Sequence, residues 1–124
     1  MKKFIRLLAF ALMLIPFLNS GCYNDNEEDL YPEKPVCDTA NITYTASIAP
    51  IMQTNCNSCH NTTVASGGVI TDNAEGLRVV ALNGLLWSSV NWTSAYKMPK
   101  DRGKLSDCDL SKINIWIKDG APNN

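Results

Sequence analysis

Apolar residues recur at helical spacing in three stretches of the chain, and strict alternation long enough for a sheet strand appears nowhere. Residues 47–55 open on Ser47 as a hydroxyl cap, tolerate Pro50 in the first turn and put Ile48, Ile51 and Met52 on one face. Asp72 followed by Glu75 resembles a capping box. Leu77, Val80 and Ala81 then share a face until Asn83 and Gly84 stop the helix. Ser106 with Asp109 repeats the capping pattern, and Leu110, Ile113, Trp116 and Ile117 form a stripe that Gly120 and Pro122 end. Gly67-Gly68 and residues 87–95 and 97–104 read as connections. The pattern predicts an all-α domain over residues 37–124, with about three main helices joined by long loops. Three helices make a thin core for that length, so a further component is expected to fill the middle.

The N-terminal stretch has a different pattern. Lys2, Lys3 and Arg6 precede an apolar run over residues 7–18 that ends in Asn19-Ser20-Gly21-Cys22. A basic start and an apolar run of about a dozen residues, short for a membrane span, give the anatomy of a secretory signal over residues 1–21. An uncleaved anchor helix is the alternative, which Pro16 and Asn19 interrupt. Ser20 and Gly21 before Cys22 resemble a bacterial lipobox, with Leu18 one position further from the cysteine than the commoner pattern puts it. That resemblance implies acylation of Cys22 and a mature chain tethered to the membrane through its lipid, which several acyl chains hold stably.

Residues 22–36 carry Asp25, Glu27, Glu28, Asp29 and Glu33 with Pro32 and Pro35 and show no apolar periodicity. Such a segment cannot offset its ordering entropy by burial and reads as an acidic flexible tether, spanning at most about 50 Å from Tyr23 onward. An acidic run after a lipidated cysteine also resembles the signal that sends some Gram-negative lipoproteins to the cell surface, and a plain solvated spacer explains it equally well. The expected place is the bacterial cell envelope, at the outer membrane, facing the periplasm or the outside.

Charge narrows the partners. The whole chain has 11 cations and 12 acids over 124 residues, and removing Lys2, Lys3 and Arg6 leaves 8 against 12, a net charge of −4. Mild acidity without a cationic cluster beyond the leader argues against nucleic-acid binding, which rests on neutralised phosphates.

Five cysteines and one histidine are the unusual figures. Cys56-Asn57-Ser58-Cys59-His60 is C-x-x-C-H, and the only histidine of the chain completes it. Two thiols three positions apart match the two vinyl groups of a haem, and the next residue offers its imidazole to the iron. An export signal supplies the compartment that this attachment uses. Three rivals compete. A thioredoxin-like dithiol belongs at a helix N-terminus within a βαβ pattern, whereas here a helix precedes the motif. A zinc site drawing on Cys37, Cys56, Cys59 and Cys108, or on His60, lacks the second close ligand pair. A chance match involving a structural disulfide is the third.

For the other axial position, Met98 lies in Tyr96-Lys97-Met98-Pro99-Lys100, where Pro99 stiffens the backbone that presents the thioether. Met1 and Met13 leave with the leader, and Met52 sits on an apolar helix face, where methionine is usually core filler. An open or water-ligated iron is the remaining possibility.

Cys56 to His60, the Met98-Pro99 loop and the closing helix around Ile113-Asn114-Ile115-Trp116-Ile117 resemble a class I c-type cytochrome, specifically its small bacterial lipoprotein versions with an extra cysteine pair. The resemblance covers the chain from about Cys37 onward. It implies the cytochrome c fold, with first and last helices packed crosswise, one covalently bound haem c between them and the methionine loop, and Trp116 at the crossing. A core aromatic is the preferred reading of Trp116 over a redox role. Trp87 and Trp92 are left open between lining the pocket and covering it. The long middle segment lacks a partner-docking lysine ring, which leaves the redox partner unnamed.

With Cys56 and Cys59 assigned to haem and Cys22 to lipid, Cys37 and Cys108 remain, and export favours their oxidation to a disulfide over two buried thiols. The function expected is that of a monomeric, membrane-tethered electron carrier, not a catalyst in its own right, that serves redox partner proteins of a respiratory or electron-transfer chain. Its iron is held by His60 and Met98, and Met/His ligation raises the potential. The alternative is a haem-based sensor or ligand-binding module with a labile sixth site. A peroxidase fits less well, because the resemblance implies two haems for that activity and this chain has one C-x-x-C-H and no distal histidine.

Overall fold

The computed structural model describes residues 36–124; the leader, Cys22 and the tether up to Pro35 lie outside the described residues. The unit Cys37–Asn124 is helical, and no strand occurs among the described residues. Four α-helices follow in order: α1 (Ala49–Asn55), α2 (Ala74–Leu82), α3 (Leu85–Val90) and α4 (Asp107–Lys118). No helix among the described residues is long and apolar enough to cross a membrane.

Helix α1 continues a π-helical turn, Tyr44–Ile48, so the helical path starts earlier than the expected Ser47. Thr43 is the cap, its hydroxyl accepting from the Ala46 N–H at 3.1 Å. The unpaired N–H groups of the first turn find acceptors at the other end of the domain. Tyr44 N–H donates to the Asn124 side-chain oxygen at 2.8 Å and Thr45 N–H to the Asn124 carbonyl at 3.0 Å. At α2 the cap is Asn73, not Asp72: the Asn73 side chain accepts from Gly76 N–H at 2.8 Å. Asp72 is occupied by Thr62, accepting from its N–H at 2.8 Å and its hydroxyl at 2.9 Å. Asn83 and Gly84 end α2 as expected, but a second helix, α3, starts at once at Leu85 and takes in residues 87–90 of the expected connection 87–95.

Helix α4 follows its sequence pattern closely. Ser106 caps it, accepting from Asp109 N–H at 3.0 Å, and Leu110, Ile113 and Trp116 are buried. Trp116 is fully buried and lies over Tyr44, ring centroids 6.2 Å apart, so α4 packs on the π-helical turn that leads into α1. Its indole N–H donates to the Pro122 carbonyl at 2.9 Å, which satisfies the one polar atom this core aromatic carries. Ile48, Ile51, Met52, Leu77, Val80, Ala81, Leu86 and Val90 complete one core drawn from all four helices. Gly76 permits its closest approach, since a Cβ there would stand 2.8 Å from the Ile70 Cβ and 2.9 Å from the Ile70 carbonyl oxygen.

The Cys37 and Cys108 sulfurs are 2.05 Å apart, a disulfide across 71 positions that ties the start of the domain to the first turn of α4.

Candidate functional site

The C-x-x-C-H pentapeptide begins where α1 ends. Cys56 caps the helix, its N–H bonding the Met52 carbonyl at 2.8 Å, and the chain then tightens: Cys59 and His60 N–H both donate to the Cys56 carbonyl, at 3.1 and 3.0 Å. This compact turn sets the two thiols and the imidazole at the C-terminal end of α1. Cys56 is half-buried and Cys59 exposed, and neither is bridged.

A second segment, residues 61–72, folds back over the histidine. Ser66 N–H donates to the Cys59 carbonyl at 3.1 Å, while the Ser66 carbonyl lies 3.0 Å from His60 Nδ1. A backbone carbonyl only accepts, so this contact is a hydrogen bond when Nδ1 carries the proton. In the neutral ring this places the proton on Nδ1 and the lone pair on Nε2, the arrangement in which ligating imidazoles are usually held. Gly67 and Gly68, with φ of 67° and 73°, make the left-handed turn that presents the Ser66 carbonyl to the ring. Behind the ring, Thr71 N–H donates to the His60 carbonyl at 2.7 Å and the Thr71 hydroxyl to the same oxygen at 3.0 Å. The Thr71 hydroxyl also lies 2.8 Å from the Asn57 side-chain amide; with the amide nitrogen turned toward it, Asn57 donates to Thr71 and to the Met52 carbonyl at 3.2 Å.

His60 borders a cleft with two lobes. The first, about 420 Å³, has an apolar wall from α2 and α3, with Val69, Val80, Leu85, Leu86 and Val90 among its lining. The second, about 570 Å³, opens past Cys59 toward Pro99, Lys100 and Arg102. Cys56, His60, Ser66, Gly67 and Met98 line both lobes. Cavities of roughly 300–1,000 Å³ with mostly apolar walls and a few polar groups suit small molecules and cofactors. The donor set and the apolar wall therefore fit a flat hydrophobic macrocycle that carries an iron.

Met98 is half-buried and its backbone is held at both ends, N–H to the Ser89 carbonyl at 3.1 Å and carbonyl to the Trp92 indole N–H at 2.8 Å. Met52, the other methionine of the domain, is fully buried in the core and borders neither lobe. Trp87 packs against the core and is absent from the cleft wall, whereas Trp92 reaches the cleft through Met98.

Burial pushes the Cys56 thiol up to about 11, opposite to the lowered value of a redox-active C-x-x-C thiol. The disulfide engages Cys37 and Cys108, two of the four cysteines that the zinc alternative needs, and no group of three or more His, Cys, Asp and Glu side chains gathers around a metal position among the described residues. Sequence reasoning missed the α3 wall and the Ser66 carbonyl: six residues without a side-chain cap carry no clear helix signal, and a backbone carbonyl has none.

Comparison with protein-family models, with curated proteins and with solved structures finds no match to this chain.

Proposed function

We propose that residues 37–124 hold one haem c through Cys56 and Cys59, with His60 and Met98 as the axial ligands of its iron, and that the protein is a membrane-tethered electron carrier of the cytochrome c fold. The observation that carries this reading is the His60 ring, its Nδ1 tied to the Ser66 carbonyl, on a cleft that Cys56 and Met98 also border. Cys56 and Cys59 would hold the group through thioether bonds to its two vinyl groups, an addition that calls for no oxidant or reductant. The group supplies a one-electron iron couple when bound. Cys56 and Cys59 would keep it from leaving, His60 would offer its imidazole to the iron, and the Met98 thioether would favour the ferrous state. Val80, Leu86 and Val90 give the first lobe an apolar wall, which would favour a raised potential. The exposed Cys59 marks the edge through which electrons reach a redox partner protein.

Intact mass after acid-acetone extraction is expected to retain one haem per chain; a colourless protein, or haem released to the solvent, overturns the reading. Carbon monoxide separates carrier from sensor: slow or absent uptake by the reduced protein marks a closed sixth site, and rapid complete uptake favours the sensor. The envelope location rests on Cys22, outside the described residues, and is tested by detergent partitioning of wild type against Cys22→Ser. Equal partitioning removes the lipid anchor.

A further inference from the structure

Trp92 stands at the reversal after α3, in a position that packing alone does not require. Thr93 and Ser94 N–H both return to the Ser88 carbonyl, at 2.9 and 3.1 Å, and Trp92 N–H approaches the Ser89 carbonyl at 3.3 Å. The same Ser89 carbonyl accepts from Met98 N–H at 3.1 Å. The Trp92 backbone has a φ of 63°, in the left-handed region that bulky side chains avoid. Its ring is half-buried and stands outside the core cluster, with the Lys97 ammonium 5.5 Å from the ring centroid. From this strained station the indole Nε1 reaches the Met98 carbonyl at 2.8 Å. Both backbone groups of Met98 are thus tied to the C-terminal end of α3, in a segment that has no helix of its own between α3 and α4.

We propose that Trp92 is a positioning residue for the sixth-ligand loop: its indole N–H fixes the Met98 backbone, and so keeps the Met98 thioether at the cleft and the axial site closed. The inference rests on the haem c reading and extends it to what controls access to the iron. For the sulfur to leave, the Met98 loop must shift, and the shift breaks the Trp92–Met98 hydrogen bond. Removing that bond, at the usual net worth of a neutral one, raises the sulfur-off population about fivefold. Ligands that need the sulfur off gain by the same factor.

The test uses the haem-loaded full chain in three forms: wild type, Trp92→Phe, and a chain carrying at position 92 the benzothiophene analogue of tryptophan, which replaces N–H by sulfur at nearly constant shape. Carbon monoxide association with the reduced protein is expected to be about fivefold faster in both altered forms. The sulfur-to-iron charge-transfer band should weaken in the oxidised forms, and the Met98 amide should exchange its hydrogen faster. In a Met98→Ala background Trp92→Phe should leave the association rate unchanged, since the effect runs through the methionine. If Trp92→Phe fails to fold, the isosteric analogue carries the comparison. Covalent haem with unchanged association rates in the folded altered forms, even with a lowered melting temperature, marks Trp92 as packing and overturns the inference while the haem reading stands. Wild-type protein without covalent haem overturns both.

Discussion

Ser66 meets His60 through its carbonyl, 3.0 Å from the imidazole Nδ1, and the same residue is anchored to the Cys59 carbonyl by its N–H at 3.1 Å. The orientation of the one histidine thus depends on a turn that the motif itself supports. A ring fixed in this way would have little freedom to lose on ligation, because the protein itself holds its orientation. The other wall of the cleft is made separately, by α2 and α3, and the Met98 loop is hung from the end of α3.

That wall depends on a close contact. Gly76 sits in α2, where a methyl group would meet Ile70 at 2.8 Å, with the Ile70 backbone carbonyl at 2.9 Å on the same side. Because backbone is part of the obstruction, the neighbour cannot yield by a rotamer change alone. Gly76→Ala is expected to destabilise the domain by about 1–3 kcal/mol despite alanine's better helix propensity. Urea denaturation of the two proteins measures it, and equal or greater stability of Gly76→Ala refutes the close packing of α2 on Ile70.

How much was legible in the sequence follows from how local each cause is. Helix α4 carries its cap at Ser106, its stripe and its stop within one segment, and the structure follows them. Helix α3 has only six residues, less than two turns, no side-chain cap and Gly84 at its start, so nothing in Leu85-Leu86-Trp87-Ser88-Ser89-Val90 separates a helix from a loop. The caps moved for reasons of distance. Asp72 is diverted by Thr62, ten positions back, which leaves Asn73 to cap α2. The first helical turn begins at Tyr44 because Asn124 supplies acceptors from the far end of the domain. In the site, the pentapeptide and Met98 were visible as residue types at a spacing. The Ser66 carbonyl and the Trp92–Met98 bond were not, because backbone acceptors have no residue signature.

Asp72 gives the pH dependence a sign. The Thr62 N–H, chief among its hydrogen-bond donors, holds the Asp72 carboxyl below its ordinary value. A folded-state value lowered in this way contributes stability that is fully present above the unfolded value of about 3.9 and is lost as pH falls through the folded value. Wild type is therefore expected to exceed Asp72→Asn in stability near neutral pH, with the gap closing as pH drops below about 4. Thermal melts from neutral to strongly acid pH check this. A gap that stays constant across the range shows that the carboxylate's charge is not what secures the 61–72 turn.

The Cys37–Cys108 bridge closes a long loop without bordering either lobe of the cleft. Loop-closure entropy for a separation of 71 residues gives roughly 4 kcal/mol of stabilisation, less any strain. Replacing both cysteines by serine should lower the denaturation midpoint accordingly, while the absorption spectrum of the haem-loaded protein stays nearly unchanged. Peptide mapping without reduction should recover the linked pair; free thiols at both positions refute the bridge.

The two methionines of the domain separate site from core. Met52 is fully buried on α1, and its carbonyl receives the Cys56 and Asn57 N–H groups at 2.8 and 3.0 Å; Met98 stands on the cleft wall. On the proposed His60 and Met98 ligation, Met98→Ala would free an iron site, so the reduced protein should bind carbon monoxide readily, and the potential should fall because an electron-poor thioether no longer favours the ferrous iron. Met52→Leu keeps volume and apolarity, and is expected to cost under about 1.5 kcal/mol while leaving both the potential and carbon monoxide binding at wild-type values. Spectroelectrochemical titration and carbon monoxide difference spectra of the three proteins settle the assignment. Were Met52→Leu to open the iron and Met98→Ala to leave it closed, the ligand would lie on α1, and the cleft that Met98 borders would have to be given another role.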